Sequence, residues 1–184
     1  SWDGGGDGVS WTDPLNWSGD TLPGSADTAV LNVGADPIVT LSGPMVTLAA
    51  LDCRENLVLA GDGLTVTGSC VFRDRRVQLD AGVLDAAQVQ VRSATMAIGN
   101  GTTTGDVTLY AGRLEFLPGA TGTGRFHLRG NGTLGGNAHH FAVPGGVRGH
   151  PFRQRNQIGQ IQGVPGVCGV VGDGKPGTAP GAAV

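Results

Sequence analysis

The ten residues Leu57-Val-Leu-Ala-Gly-Asp-Gly-Leu-Thr-Val66 recur in outline as Val77-Gln-Leu-Asp-Ala-Gly-Val-Leu-Asp-Ala86, Val107-Thr-Leu-Tyr-Ala-Gly-Arg-Leu-Glu-Phe116 and Phe126-His-Leu-Arg-Gly-Asn-Gly-Thr-Leu-Gly135. Each copy reads apolar-x-Leu or its equivalent, then a glycine bend, then a second short apolar run. The starts are separated by 20, 30 and 19 residues, and the long gap holds a further pair, Val89-Gln90-Val91 with Met96-Ala97-Ile98. Alternation with a period of two identifies strands, and recurrence at roughly 20 residues falls in the range of β-solenoid coils. One such coil buries two or three aliphatic side chains, about 1.5–3 kcal/mol each, so it is stable only between neighbours. The alternative is an antiparallel β-sandwich built from the same strands as a meander of hairpins.

The alternation runs outward in both directions, through Ile38-Val39-Thr40-Leu41 and Val46-Thr47-Leu48 towards the N-terminus and to about residue 136 towards the C-terminus. Bends are marked by Gly61-Asp62-Gly63, Ala81-Gly82, Gly99-Asn100-Gly101, Ala111-Gly112 and Pro118-Gly119, which supply positive or fixed φ values. We therefore expect a cap with the first strand over 1–36, coils over 37–136, and an irregular or disordered tail rich in glycine and proline over 137–184.

All three tryptophans, Trp2, Trp11 and Trp17, lie in the first seventeen residues. Large aromatics set among glycines at one end of a stack suit a cap over an open apolar core and its unpaired strand edge. The block Trp2-Asp3-Gly4, Trp11, Asn16-Trp17, Leu22-Pro23 and Asp27-Thr28-Ala29-Val30-Leu31 resembles the start of autotransporter-like and planctomycete-type extracellular β-helix repeat proteins. The resemblance covers residues 1 to about 135. It implies a right-handed parallel β-helix, bacterial secretion to the cell surface or beyond, and a non-enzymatic structural or adhesin-like role in display and attachment, with Trp2, Trp11, Trp17 and Asp27 in the cap. It carries no catalytic residues, and the tail departs from it by lacking further coils or a C-terminal barrel.

Composition narrows the remaining classes. The chain of 184 residues has 34 glycines, a net charge of −3 and a single lysine, Lys175. A helical bundle and a nucleic-acid binder are both disfavoured, the latter because counterion release needs a basic surface. No run approaches the roughly 18 apolar residues of a membrane span. Opening at Ser1, the chain reads as a processed protein or a piece of a longer one. Three cysteines, Cys53, Cys70 and Cys168, form no metal-binding pair, and Cys53 and Cys70, 17 residues apart, are candidates either for core packing on adjacent coils or for a disulfide.

Several motifs carry candidate chemistry. Asp3-Gly4-Gly5-Gly6-Asp7-Gly8 starts like a calcium loop, leaving Asp3, Asp7 and Asp13 as weak calcium candidates, although Pro14 stands where a bidentate Glu is required. Trp11 and Trp17 are candidate glycan contacts if their rings are exposed and coplanar, which would make the protein a carbohydrate-binding or polysaccharide-cleaving β-helix acting on an extracellular glycan or a host or neighbouring cell surface. Asp80, Asp85, Asp106 and Glu115 qualify for cleavage by residue type alone. His139, His140 and His150 are metal candidates without a carboxylate partner. Gly169-Val-Val-Gly-Asp-Gly174-Lys175 approximates a phosphate loop, but Pro176 replaces the magnesium-ligating hydroxyl and no helix follows. Gly130-Asn-Gly132-Thr-Leu-Gly135 matches a dinucleotide fingerprint only by spacing. Asn16, Asn100 and Asn131 head glycosylation sequons.

Overall fold

The computed structural model describes residues 1–122, 125–129, 133–136 and 170–172. After a short 3₁₀ turn at Pro14–Asn16, the chain winds through three strands per coil. The first coil is β1 (Thr28–Leu31), β2 (Ile38–Leu41) and β3 (Val46–Leu48); the second is β4 (Ala50–Cys53), β5 (Asn56–Leu59) and β6 (Gly63–Val66). The third is β7 (Cys70–Arg73), β8 (Arg76–Leu79) and β9 (Val83–Ala86); the fourth is β10 (Gln88–Arg92), β11 (Thr95–Ile98) and β12 (Thr102–Thr103). The fifth is β13 (Asp106–Tyr110), β14 (Arg113–Phe116) and β15 (Thr121–Gly122), followed by β16 (Phe126–Arg129), β17 (Thr133–Gly136) and β18 (Val170–Gly172).

Every third strand joins the same sheet. The first sheet runs β1-β4-β7-β10-β13-β16-β18, the second β2-β5-β8-β11-β14-β17 and the third β3-β6-β9-β12-β15. All strand pairings among the described residues are parallel. The protein is therefore a parallel β-solenoid of about 5 turns, and the antiparallel sandwich is excluded, because hairpin-joined neighbours would pair in opposite directions.

The core is a set of inward files. Leu57, Val77, Met96 and Leu114 stack in the second sheet, and Leu51, Cys70, Val89, Val107 and Phe126 in the first, all essentially inaccessible to solvent. Strand alternation aims these residues inward and leaves Thr40, Val58 and Gln78 on the outer face. Glycines occupy points where one coil crosses close to the next: a Cβ at Gly105 would overlap the Ala86 carbonyl oxygen, and one at Gly61 would overlap the Gly43 backbone.

Cys53 and Cys70 are buried and unpaired. Cys70 lies beside Leu51 and Cys53 beside Phe72, so the two cysteines are diagonal neighbours, and the Cys53 thiol donates to the Glu55 carbonyl at 3.3 Å. They are core residues, and the disulfide alternative falls away. Of the expected irregular tail, 137–169 and 173–184 lie outside the described residues; Val170–Gly172 pair alongside β16 as β18.

Candidate functional site

The tryptophan cap is built on hydrogen bonds to the outermost coil. The Trp2 amide donates to the Val30 carbonyl at 2.8 Å, along the open edge of β1. Val9 and Trp11 pair with Thr40 of β2, the Thr40 amide donating to Val9 at 2.7 Å and the Trp11 amide to Thr40 at 2.9 Å. Two sheet edges are thereby occupied. Asp27 contributes at the junction with the next coil: its carboxylate accepts from the Gly24 amide at 2.8 Å, and its carbonyl accepts from the Ala49 amide at 2.9 Å.

The three indoles pack edge to face. Trp17 sits 5.2 Å from Trp2 and 4.8 Å from Trp11 between ring centroids, at interplanar angles of 86° and 67°. Solvent reaches 1% of Trp11 and 1% of Trp17. The expectation that these two rings contact glycan is corrected on this point, since a sugar-stacking platform needs an accessible ring face and neither ring offers one.

Asn16, which the sequence offers as a sequon, is wholly buried and organises the glycine loop instead. Its Oδ1 accepts from the Gly6 and Gly8 amides at 3.0 and 2.8 Å, while its Nδ2 donates to Asp7 Oδ1 at 2.8 Å and to the Ser10 carbonyl at 2.9 Å. Asp7 Oδ1 also accepts from the Ser10 and Val9 amides at 2.7 and 2.9 Å. These backbone donors, with Asn16, hold the Asp7 carboxyl below its ordinary value. Asp3 closes on the Gly5 amide and Asp13 on the amides of Leu15 and Asp7. The three calcium candidates thus serve as turn acceptors, and no group of three metal-ligating acids, histidines or cysteines forms among the described residues.

The acids proposed for polysaccharide cleavage are dispersed. Glu115 lies on the second sheet, with Arg76 Nη1 at 2.8 Å and Arg113 Nε at 2.7 Å; partial desolvation opposes its ionisation, but these two guanidinium groups outweigh it and its pKa is lowered. Asp80 follows β8 and accepts from Gln78 at 2.6 Å; Asp85 is on the third sheet, bonded to Thr104 at 2.6 Å; Asp106 is on the first, accepting from the Arg125 amide at 3.0 Å. The fold distributes these four carboxylates over three faces. His139, His140, His150, Asn131, Lys175 and Pro176 lie outside the described residues.

Two features escaped the sequence reading. At the corner after β4, Glu55 is only 3% exposed; one carboxylate oxygen accepts from the Val33 amide at 2.6 Å and the other has no hydrogen bond. It lines a cleft of about 340 Å³ with Asn32, Val33, Asp36, Arg54 and Arg75, and Arg75 is ion-paired to Asp36. On the outer face of the first sheet, Arg73, Arg92, Tyr110 and Arg129 occupy one register file on consecutive coils, with Arg54 immediately before them. The recurrence of arginine at 54, 73 and 92 was the available signal.

Geometry defines the class, a capped parallel β-solenoid. Comparison with protein-family models, curated proteins and solved structures gives no match. The resemblance to extracellular β-helix repeat proteins thus rests on the aromatic block and the coil pattern. Among the described residues, no helix is long and apolar enough to cross a membrane.

Proposed function

We propose that this protein is a non-enzymatic structural and attachment module that acts outside the cell, as an adhesin-like column presenting its outer faces to a glycan or to a neighbouring surface. The observation that carries this reading is the uninterrupted core, running from Trp2, Trp11 and Trp17 through the stacked coils to the edge-to-face pair Phe116 and Phe126, whose centroids are 5.4 Å apart. A column held by coil-to-coil contacts keeps successive outward residues in fixed files, and repeated weak contacts along a file add up to avidity. The polysaccharide-cleaving alternative draws no support from the carboxylates, which are spread over three faces, and the two at the second sheet are engaged, Asp80 by Gln78 and Glu115 by Arg76 and Arg113.

The test is exposure on intact producing cells. Antibody raised against the full chain should label unpermeabilised cells or the culture medium, and beads coated with the full chain should be retained on a cell lawn. Labelling confined to permeabilised cells would overturn the extracellular assignment, and beads retained no better than albumin-coated beads would overturn the attachment role.

A further inference from the structure

The first sheet differs electrostatically from the chain that carries it. Its outer side and the adjoining strand ends bear Arg54, Arg73, Arg92, Arg125 and Arg129 against Asp27, Asp52, Asp74 and Asp106, a small positive excess on a protein whose net charge is −3. By contrast, Arg76 and Arg113 on the second sheet are both bound to Glu115. In the file itself, Arg73 gives its Nε to Asp52 at 2.8 Å, while Arg92 contacts only the neutral Gln90 side chain and the Tyr110 ring, 5.1 Å from its centroid. No carboxylate among the described residues meets the Arg54 side chain within ion-pair distance.

We propose that this file is a binding track for a linear acidic polysaccharide, laid along the solenoid axis with its carboxylates on the arginines. Parallel strands of successive coils lie about 4.8 Å apart, so the guanidinium groups recur at a spacing comparable to the length of one sugar ring in an extended chain. A planar guanidinium matches a carboxylate through two parallel hydrogen bonds, and a row of such contacts binds a polymer far better than a single sugar. Single-stranded nucleic acid is the less suitable polyanion, because its binding grooves rely on open aromatic faces, and the one aromatic in this file is covered by Arg92. The proposal deepens the attachment reading by naming what the column attaches to. It is tested in vitro with purified protein, so its failure is distinguishable from a failure of cell-surface exposure.

The experiment titrates the full chain with polygalacturonate, with neutral dextran and with oligothymidylate, at rising sodium chloride. Binding to polygalacturonate that weakens steeply with salt, with none to dextran, is expected. The double variant R54Q/R92Q should bind about fivefold or more weakly, since each exposed charge contributes modestly. R76Q/R113Q, on the second sheet, should bind like the parent. Absence of polygalacturonate binding, equal binding by R54Q/R92Q, or an equal loss in both double variants would overturn the track. Tighter binding of oligothymidylate than of polygalacturonate would overturn the choice of polymer.

Discussion

Trp17 donates its indole N–H to the main-chain carbonyl of Trp11 at 2.8 Å, inside the cap and away from water. This bond fixes the edge-to-face geometry of two rings that would otherwise be held by shape alone. Replacing Trp17 with Phe leaves the Trp11 carbonyl without its donor and opens a void. We expect a loss of about 3–5 kcal/mol, read as a shift of the urea midpoint with the fluorescence of the remaining tryptophans as probe.

Thr103 follows Leu64 and Leu84 in an inward file of the third sheet, is fully buried, and its hydroxyl has no hydrogen-bond partner. Thr103→Val keeps the shape and removes the stranded polar atom. It should stabilise the protein by about 1–2 kcal/mol in equilibrium denaturation. A destabilised variant would show that the hydroxyl has a partner in solution.

Gly105→Ala places a methyl group on the Ala86 carbonyl oxygen of the preceding coil. Backbone cannot yield there without parting two coils. A loss of about 3 kcal/mol or more is expected from thermal unfolding followed by circular dichroism.

Burial pushes the Cys53 thiol up to about 12 and the Cys70 thiol higher still. Because the folded values exceed the ordinary one near 9.0, their contribution to stability is complete below that pH and is lost progressively as pH rises above it. In a Cys168→Ser background, an aromatic disulfide reagent at pH 8 should leave both thiols unreacted in native protein and label both in urea. Labelling at the free-thiol rate without denaturant would contradict their packing.

Asp7 has the opposite sign. Its pKa is depressed when folded, so the stabilisation is present above the ordinary value of 3.8 and disappears as pH falls through the folded value. Acidification below pH 3.8 should loosen the cap, seen as a red shift of tryptophan emission, and Asp7→Asn should make that acid limb shallower.

These sites differ in how plainly the sequence announces them. Alternation and glycine bends give most strands, and the tryptophans give the cap. The repeat phase was harder. Leu57 and Val77 stand on the second sheet, but Val107 and Phe126, which align with them by pattern, stand on the first. Strand, bend, strand describes more than one corner of the same coil, so the interval of 30 residues is a change of face rather than a longer coil. β7 lacks the alternation that marks the other strands, because Cys70, Val71 and Phe72 are all buried, and β4 offers only Leu51 and Cys53 as inward residues on either side of Asp52. Asn16 resembles a surface sequon until the loop folds around it. The arginine file becomes visible only when register places residues from separate coils side by side.

The cap also gives the column a polarity. Its backbone occupies the outer edges of β1 and β2, while the remaining edge at that end belongs to β3, a strand of three residues. Strand addition by a second copy would need all three edges to register together, and two are already taken. End-to-end fibre growth through this terminus is therefore blocked by main-chain pairing, without recourse to charge repulsion.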